Sequence, residues 1–259
     1  MRVQDLFDLS GKVAIVTGGA TGLGRQIALA LAESGADLVL CARDAARCVE
    51  AAGELETVGV RTLGLGCDVR DAGSIQTVVT RAVEVFGRVD ILVNNAGTAW
   101  GAPAEELALA GWQKVIDVNL TGAFLFSQAV GRELIRQGHG GKIINIASVA
   151  AFRGADPAAM DAVAYNASKG GLVALTRDLA VKWAAHGICV NAIAPGWFPS
   201  DMSEAVLERS GELLLSRIPL GRLGGSDDLK GAATFLASAA SDFVTGITLP
   251  VDGGQLASG

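Results

Sequence analysis

Tyr165 and Lys169 stand four positions apart in "AYNASKGGLVALTRDLAVKW" (164–183), and Tyr165 is the single tyrosine of the chain. On a helix, positions i and i+4 share a face, so the ammonium can lie beside the phenol. A neighbouring cation favours phenolate and is expected to lower the tyrosine pKa from its usual value of about 10. Such a phenol gives a proton to a ketone, and its phenolate takes one from an alcohol. Ser148, in "NIASV", ends a strand-like run and can hold the same substrate oxygen. Asn119 is a polar amide inside the apolar run "KVIDVNLTGAFLFSQ". It needs a partner there, and it is expected to hold a water that passes protons to Lys169. A tyrosine four residues before a lysine is common by chance, so the weight rests on its company.

That company includes a phosphate-type loop. "TGGATGLG" (17–24) follows a strand-like run and opens a helix-like one. Gly18, Gly22 and Gly24 permit a tight turn, close backbone approach to a pyrophosphate, and close helix–strand packing. The helix beginning near Leu23 aims its first N–H groups at the anion. The context points to dinucleotide binding, although the G-x-x-x-G-x-G spacing differs from the commoner G-x-G-x-x-G. In "LCARD", Ala42 falls where an NAD enzyme has an acidic residue for the ribose 2′-hydroxyl, and Arg43 follows. A guanidinium there suits a 2′-phosphate, so NADP(H) is favoured, with NAD(H) as the alternative. Asp44 becomes the ribose acceptor if the strand ends later, and Arg43 is otherwise a solvated charge. Asp68 and Val69 in "CDVRD" fit the adenine side, Asp68 serving equally as a helix cap. Asn95, Ala96 and Gly97 in "NNAG" suit a backbone passing close to a cofactor, or a plain turn.

The elements that must position these residues alternate along the chain. Strand-like runs fall at 12–17, 37–42, 61–67, 90–95, 141–148, 188–194 and 246–251. Helix-like runs fall at 23–34, 44–58, 72–86, 111–137, 163–186 and 227–238. The alternation predicts an α/β fold: one Rossmann-like, doubly wound parallel sheet of about seven strands with helices on both faces. Residues 1–259 read as one domain. Segments 149–162 and 196–225 break the pattern and are expected to cover the substrate.

Hydrophobic residues make up 50% of the 259 residues and charged residues 19%, enough to cover both sheet faces and bury subunit interfaces. No apolar run reaches the roughly 20 residues of a membrane span. Asp5 and Asp8 interrupt any secretory pattern at the start, so a soluble, cytoplasmic protein is expected. The net charge is −6 and no Lys/Arg run occurs, which argues against a nucleic-acid partner. Cys41, Cys48, Cys67 and Cys189 form no C-x-x-C pair and read as free thiols. His139 and His186 sit beside glycines like exposed helix ends, and no metal site is expected.

Over nearly its whole length the chain resembles the short-chain dehydrogenase/reductase family. "TGGATGLG", "CDV", "NNAG", "VNLTG", "INIAS", "YNASKGG", "VNAIAPG" and the late "DGG" carry the resemblance. It implies a catalytic tetrad of Asn119, Ser148, Tyr165 and Lys169, with Lys169 also on the nicotinamide ribose. It implies Gly18, Gly22, Leu23 and Gly24 at the pyrophosphate, and Asp68, Val69, Asn95 and Gly97 on the adenosine side. Pro195 and Gly196 would flank the nicotinamide, with Phe198 also among the cofactor contacts. Ser200 stands near where many members have a carboxamide-binding threonine. A homotetramer is implied, with helices 111–137 and 163–186 and the last strand in its interfaces. Two departures stand out. Thr21 occupies the place of a basic residue found in many NADP-using relatives, and Ser148 lies 17 positions before Tyr165, more than is usual.

For the substrate, the sequence resembles both the 3-oxoacyl-carrier-protein-reductase-like and the gluconate 5-dehydrogenase-like branches. Trp100, Ala150, Phe152, Met160, Trp197, Phe198, Met202 and Leu207 favour an apolar or mixed pocket, with Arg153, Asp156 and Asp161 as polar exceptions. A 3-oxoacyl thioester is therefore expected, with a sugar acid as the alternative, since a polyol needs several convergent polar groups. Arg132 and Arg136 offer a docking patch for an acidic carrier, or a solvated helix face. A cofactor-binding regulator without turnover is the remote alternative.

Overall fold

The structure is a computed structural model that describes residues 2–155 and 160–258. The sheet is built from β1 (Val13–Thr17), β2 (Asp37–Ala42), β3 (Thr62–Gly66), β4 (Ile91–Asn94), β5 (Gly141–Ile146), β6 (Ile188–Pro195) and β7 (Thr248–Val251). All seven are parallel, in the order β3-β2-β1-β4-β5-β6-β7. Successive residues of β1 alternate between two cores. Ala14 and Val16 pack with Leu31, Leu55 and Leu236, while Val13 and Ile15 pack with Val78, Phe126 and Leu134. Burial on both faces explains why the strands read as continuous apolar runs.

The helices are α1 (Gly22–Glu33), α2 (Ala45–Glu56), α3 (Ala72–Phe86), α4 (Leu109–Ile116), α5 (Gly122–Gln137), α6 (Val163–Trp183), α7 (Glu204–Leu215) and α8 (Lys230–Ala237). Helix α2 is capped by Asp44, which accepts from the Arg47 N–H, and α3 by Asp71, which accepts from Gly73 and Ser74. Both caps bear on the sequence reading. Asp44 is engaged in ending a loop, and the cap of α3 is Asp71 rather than Asp68.

Two elements depart from expectation. The run 111–137 is not one α-helix: a π turn, Asp117–Thr121, separates α4 from α5 and contains Asn119. Segment 196–225 holds α7, whose backbone leaves helical geometry at Ser210 (φ −133°, ψ 15°). Among the described residues no helix is long and apolar enough to cross a membrane. Cys41, Cys48 and Cys67 are buried free thiols, and Cys189 is half-buried and also free.

Candidate functional site

The strand order reverses at β1, whose neighbours are β2 and β4, and ligands of such sheets lie at the carboxyl ends beside this switch. The loop leaving β1 is braced from β4. Asn95 donates through Nδ2 to the carbonyls of Thr17 (3.0 Å) and Gly18 (3.1 Å). Thr17 Oγ1 in turn accepts from the backbone N–H groups of Asn95 and Ala96, both at 2.9 Å. Asn95 thus shapes the loop rather than presenting a free amide to an adenosine. Gly18 has φ +63°, and a methyl group there would sit 2.9 Å from the Asn95 amide. At Gly24 a methyl group would run into the Gly18 carbonyl and that same amide. Helix α1 begins with Thr21 at its N-cap and no side chain satisfying its first N–H groups, unlike α2 and α3. A tight glycine cradle ending in uncapped N–H groups fits a pyrophosphate.

Arg43 is exposed just past β2, and its charge reaches Asp68. Asp68 pairs mainly with Arg70, whose hydrogen bonds hold its carboxyl down at about 2. Val69 is buried and backs onto Gly122, where a methyl group would come within 2.9 Å of it.

A cleft of about 1360 Å³ opens along this edge of the sheet. It is lined by Gly18, Thr21, Gly22 and Leu23 of the glycine loop, then Asn95, Ala96 and Gly97 after β4. Ser148 and Ala150 after β5, Tyr165 and Lys169 on α6, Pro195 at the end of β6, and Gly196, Trp197, Phe198, Ser200 and Met202 after it line it too. Arg153, Met160 and Asp161 complete that set of expected residues, while Asp156 lies outside the described residues.

Three expected pocket residues lie elsewhere. Trp100 covers Gly111, where a methyl group would stand 3.0 Å from its ring, and carries the Lys114 ammonium 4.8 Å from its centroid. Phe152 is 44% exposed and not part of the lining, and Leu207 yields its place to its helical neighbour Val206. Sequence reasoning missed Arg209 and Arg217, which line the cleft from α7 and the turn after it. Segment 196–225 breaks the strand–helix alternation, and no motif in it singles out these charges. Of the two arginines weighed for carrier docking, Arg136 is tied to Glu133.

Ser148 lies two residues past β5 and accepts from the Ala150 N–H at 3.1 Å, capping the short turn Val149–Ala151. Its bond to Tyr165 draws the phenol's pKa down, but burial is the larger cause and pushes it up. The expected lowering by Lys169 is therefore not the resting arrangement. Lys169 is 4% exposed, its ammonium 5.5 Å from the Tyr165 ring centroid, and it donates to the Ile146 carbonyl at 2.6 Å. Burial lowers its own pKa to about 8.

Asn119 also differs from expectation. Its Oδ1 accepts from Thr98 N (2.8 Å), and its Nδ2 donates to Thr98 O (2.9 Å) and Ser168 Oγ (3.0 Å). The side chain staples the loop after β4 to α6, a partnership that the water-holding expectation left out. Ser200 is near the glycine loop, its Cβ 3.6 Å from where a methyl group on Gly22 would be, and its hydroxyl meets Ser203 Oγ at 3.1 Å.

Residues 18–255 match a sequence family described as enoyl-(acyl carrier protein) reductase. The chain is 45% identical over 258 residues to the 2-dehydro-3-deoxy-D-gluconate 5-dehydrogenase of Dickeya dadantii, covering 98% of this chain and 99% of that one. It is similar to the crystal structure of a short-chain type dehydrogenase/reductase from Mycobacterium marinum, at 37% identity and TM-score 0.95, covering 98% and 99% of the two chains. It is also similar to a gluconate 5-dehydrogenase from Burkholderia cenocepacia in complex with NADP and tartrate, at 38% identity and TM-score 0.93, covering 99% of each chain. Agreement that runs from the glycine loop to the last turn, at this identity and over whole chains, makes a single assignment: the chain belongs to the short-chain dehydrogenase/reductase family and is an oxidoreductase acting on a CH–OH group.

Proposed function

We propose that the protein interconverts a keto-hexonate and its secondary alcohol with NADP(H), in the manner of a deoxygluconate or gluconate 5-dehydrogenase. The observation that carries this reading is the cleft's polar lining. Arg153, Asp161, Asp201, Arg209 and Arg217 share it with Ser148 and Tyr165. Two further lining residues hold buried polar atoms without a partner among the described residues, the acceptor Asn166 Oδ1 and the donor Trp197 Nε1. Unpaired buried polar atoms are costly, and a hydroxylated acid answers them where an acyl chain does not. The relatives named for hexonates agree with this, and the thioester expectation gives way to its alternative.

Several features support NADP(H): exposed Arg43 past β2, Ala42 in the acidic position, and Asp44 engaged as a helix cap. The Burkholderia relative binds NADP. In this reading the glycine loop and α1 hold the pyrophosphate, Arg43 the 2′-phosphate, and Pro195 and Gly196 flank the nicotinamide. When bound, the cofactor supplies a hydride for reduction or takes one in oxidation. Tyr165 gives its phenolic proton to the substrate oxygen in reduction and recovers it in oxidation. Ser148 donates to that same oxygen. Lys169 stabilises the phenolate that remains and reaches the ribose. Asn119 acts as a positioning residue, fixing Thr98 against α6. Residues 149–155, 160–162 and 196–225 cover the substrate. Exposed apolar residues on the long helices, Phe124 and Ile135 on α5 and Val163 and Val181 on α6, support a homotetramer that buries them.

The test is NADPH oxidation with 5-ketogluconate and an acetoacetyl thioester, together with NADP+ reduction by 2-dehydro-3-deoxygluconate, which carries the C5 alcohol. Higher kcat/KM for a hexonate is expected. A clear preference for the thioester would overturn the reading.

A further inference from the structure

Arg153 and Arg217 reach the cleft from opposite sides of the sequence. Arg153 belongs to the connection between β5 and α6, and Arg217 to the turn that follows α7. We propose that these two guanidiniums grip the substrate's carboxylate between them, so that they, rather than the proton-transfer residues, make the enzyme select an acid. The inference rests on the hexonate reading above and names the groups responsible for it.

Two planar forks of like charge along one cleft are a natural receptor for a carboxylate, which offers each fork an oxygen. The two side chains are near enough for their charges to interact. Burial, and then the Arg217 charge, hold Arg153 below the usual arginine range, while Asp252 acts in the opposite sense. An anion between the forks turns that mutual repulsion into attraction. Among the described residues, the other charged groups on the lining are Asp161, Lys169, Asp201 and Arg209. The two carboxylates would repel an acid wherever it lay near them, and the guanidiniums would draw it to themselves.

Arg153 is also tied to the reacting end of the site. Its carbonyl accepts from Asn166 Nδ2 at 3.3 Å, and Asn166 follows Tyr165 on α6. The direction of that bond fixes the amide, so Asn166 Oδ1 remains as an acceptor for a substrate hydroxyl. A carboxylate at the arginines and a hydroxyl at Asn166 orient a polyol acid along the cleft.

The experiment compares Arg153→Gln, Arg217→Gln and the charge-keeping Arg153→Lys with the wild type, at saturating NADPH. The substrates are 5-ketogluconate and its uncharged amide, and tartrate binding to the NADPH complex gives a readout without turnover. Each Gln variant is expected to raise KM for the acid about tenfold to a hundredfold, the loss of a charged hydrogen bond, with kcat little changed. The acid-to-amide ratio of kcat/KM falls by the same factor, tartrate binding weakens in parallel, and Arg153→Lys recovers part of both. A wild type that prefers the acid, with Gln variants that keep this preference, overturns the grip and leaves the hexonate reading standing. A wild type that ignores the carboxylate, or turns over neither compound, overturns both.

Discussion

The ammonium of Lys169 is anchored to the end of β5, donating to the Ile146 carbonyl at 2.6 Å, and it approaches Tyr165 only at 5.5 Å from the ring centroid. The cation is thus part of the sheet edge, fixed before any ligand arrives. That position costs stability. A lysine whose pKa falls from 10.5 to about 8 in the folded chain binds fewer protons than the unfolded chain between those values. Stability therefore rises with pH through that window, and below it the full penalty of about 3 kcal/mol stands. Lys169→Met removes the penalty and loses one hydrogen bond worth about 1 kcal/mol. The variant is expected to melt about 5 °C higher than wild type at pH 7, with the gain shrinking as pH approaches 10. Thermal unfolding at several pH values checks this, and an unchanged difference across the range would refute it.

The same pKa shapes the rate. Below about pH 8 Lys169 is protonated, and burial keeps the Tyr165 phenol protonated too, so reduction starts from the correct forms. The kcat/KM of ketone reduction should stay level near neutrality and fall as pH rises through about 8. Alcohol oxidation, which needs the phenolate, should climb in the alkaline direction. Parallel profiles in both directions would contradict the assignment.

Tyr165→Phe keeps the ring and its packing and removes the proton. Turnover should fall about 10²–10⁴-fold, the usual share of a general acid. NADPH affinity, read by fluorescence titration, should change little. Retained turnover would remove Tyr165 from the mechanism.

Arg43→Ala should weaken NADPH binding about tenfold or more, the loss of a charge-assisted contact, and leave NADH nearly unaffected. Equal losses would place the 2′-phosphate elsewhere.

Gly24→Ala forces a methyl group against the Gly18 carbonyl and the Asn95 amide. Overpacking of this kind costs about 1–3 kcal/mol. Because the group displaced is the loop itself, cofactor affinity should fall along with Tm. Undiminished NADPH binding would show that the loop yields freely.

Much of this was legible in the residues. The strands announced themselves because burial on both faces leaves uninterrupted Val, Ile and Leu, and the i, i+4 spacing put Tyr165 and Lys169 on one face. Helix α7 was hidden because Ser210 breaks its geometry at mid-length, so its apolar residues keep no single period. With it were hidden Arg209 and the arginine at 217. Trp100 and Phe152 look like pocket aromatics by type, yet only the fold shows that one covers a glycine and the other is exposed outside the lining. Spacing brought Lys169 near the phenol, but could not show that its ammonium turns to a strand carbonyl or that burial outweighs the hydrogen bond at Tyr165.

The π turn at Asp117–Thr121 has a consequence for how this chain can change in length. It holds one residue more than an α-helical turn, so the side chains of α5 are rotated by about 100° from where an unbroken α4 would have carried them. Deleting any one residue of the turn would restore ordinary helical pairing. The same deletion would swing Asn119 off Thr98 and Ser168, and with them the loop that follows β4. The surplus residue is kept by the site and not by the helix, so single-residue deletions here should be absent from working descendants even where substitutions on the outer face are freely accepted.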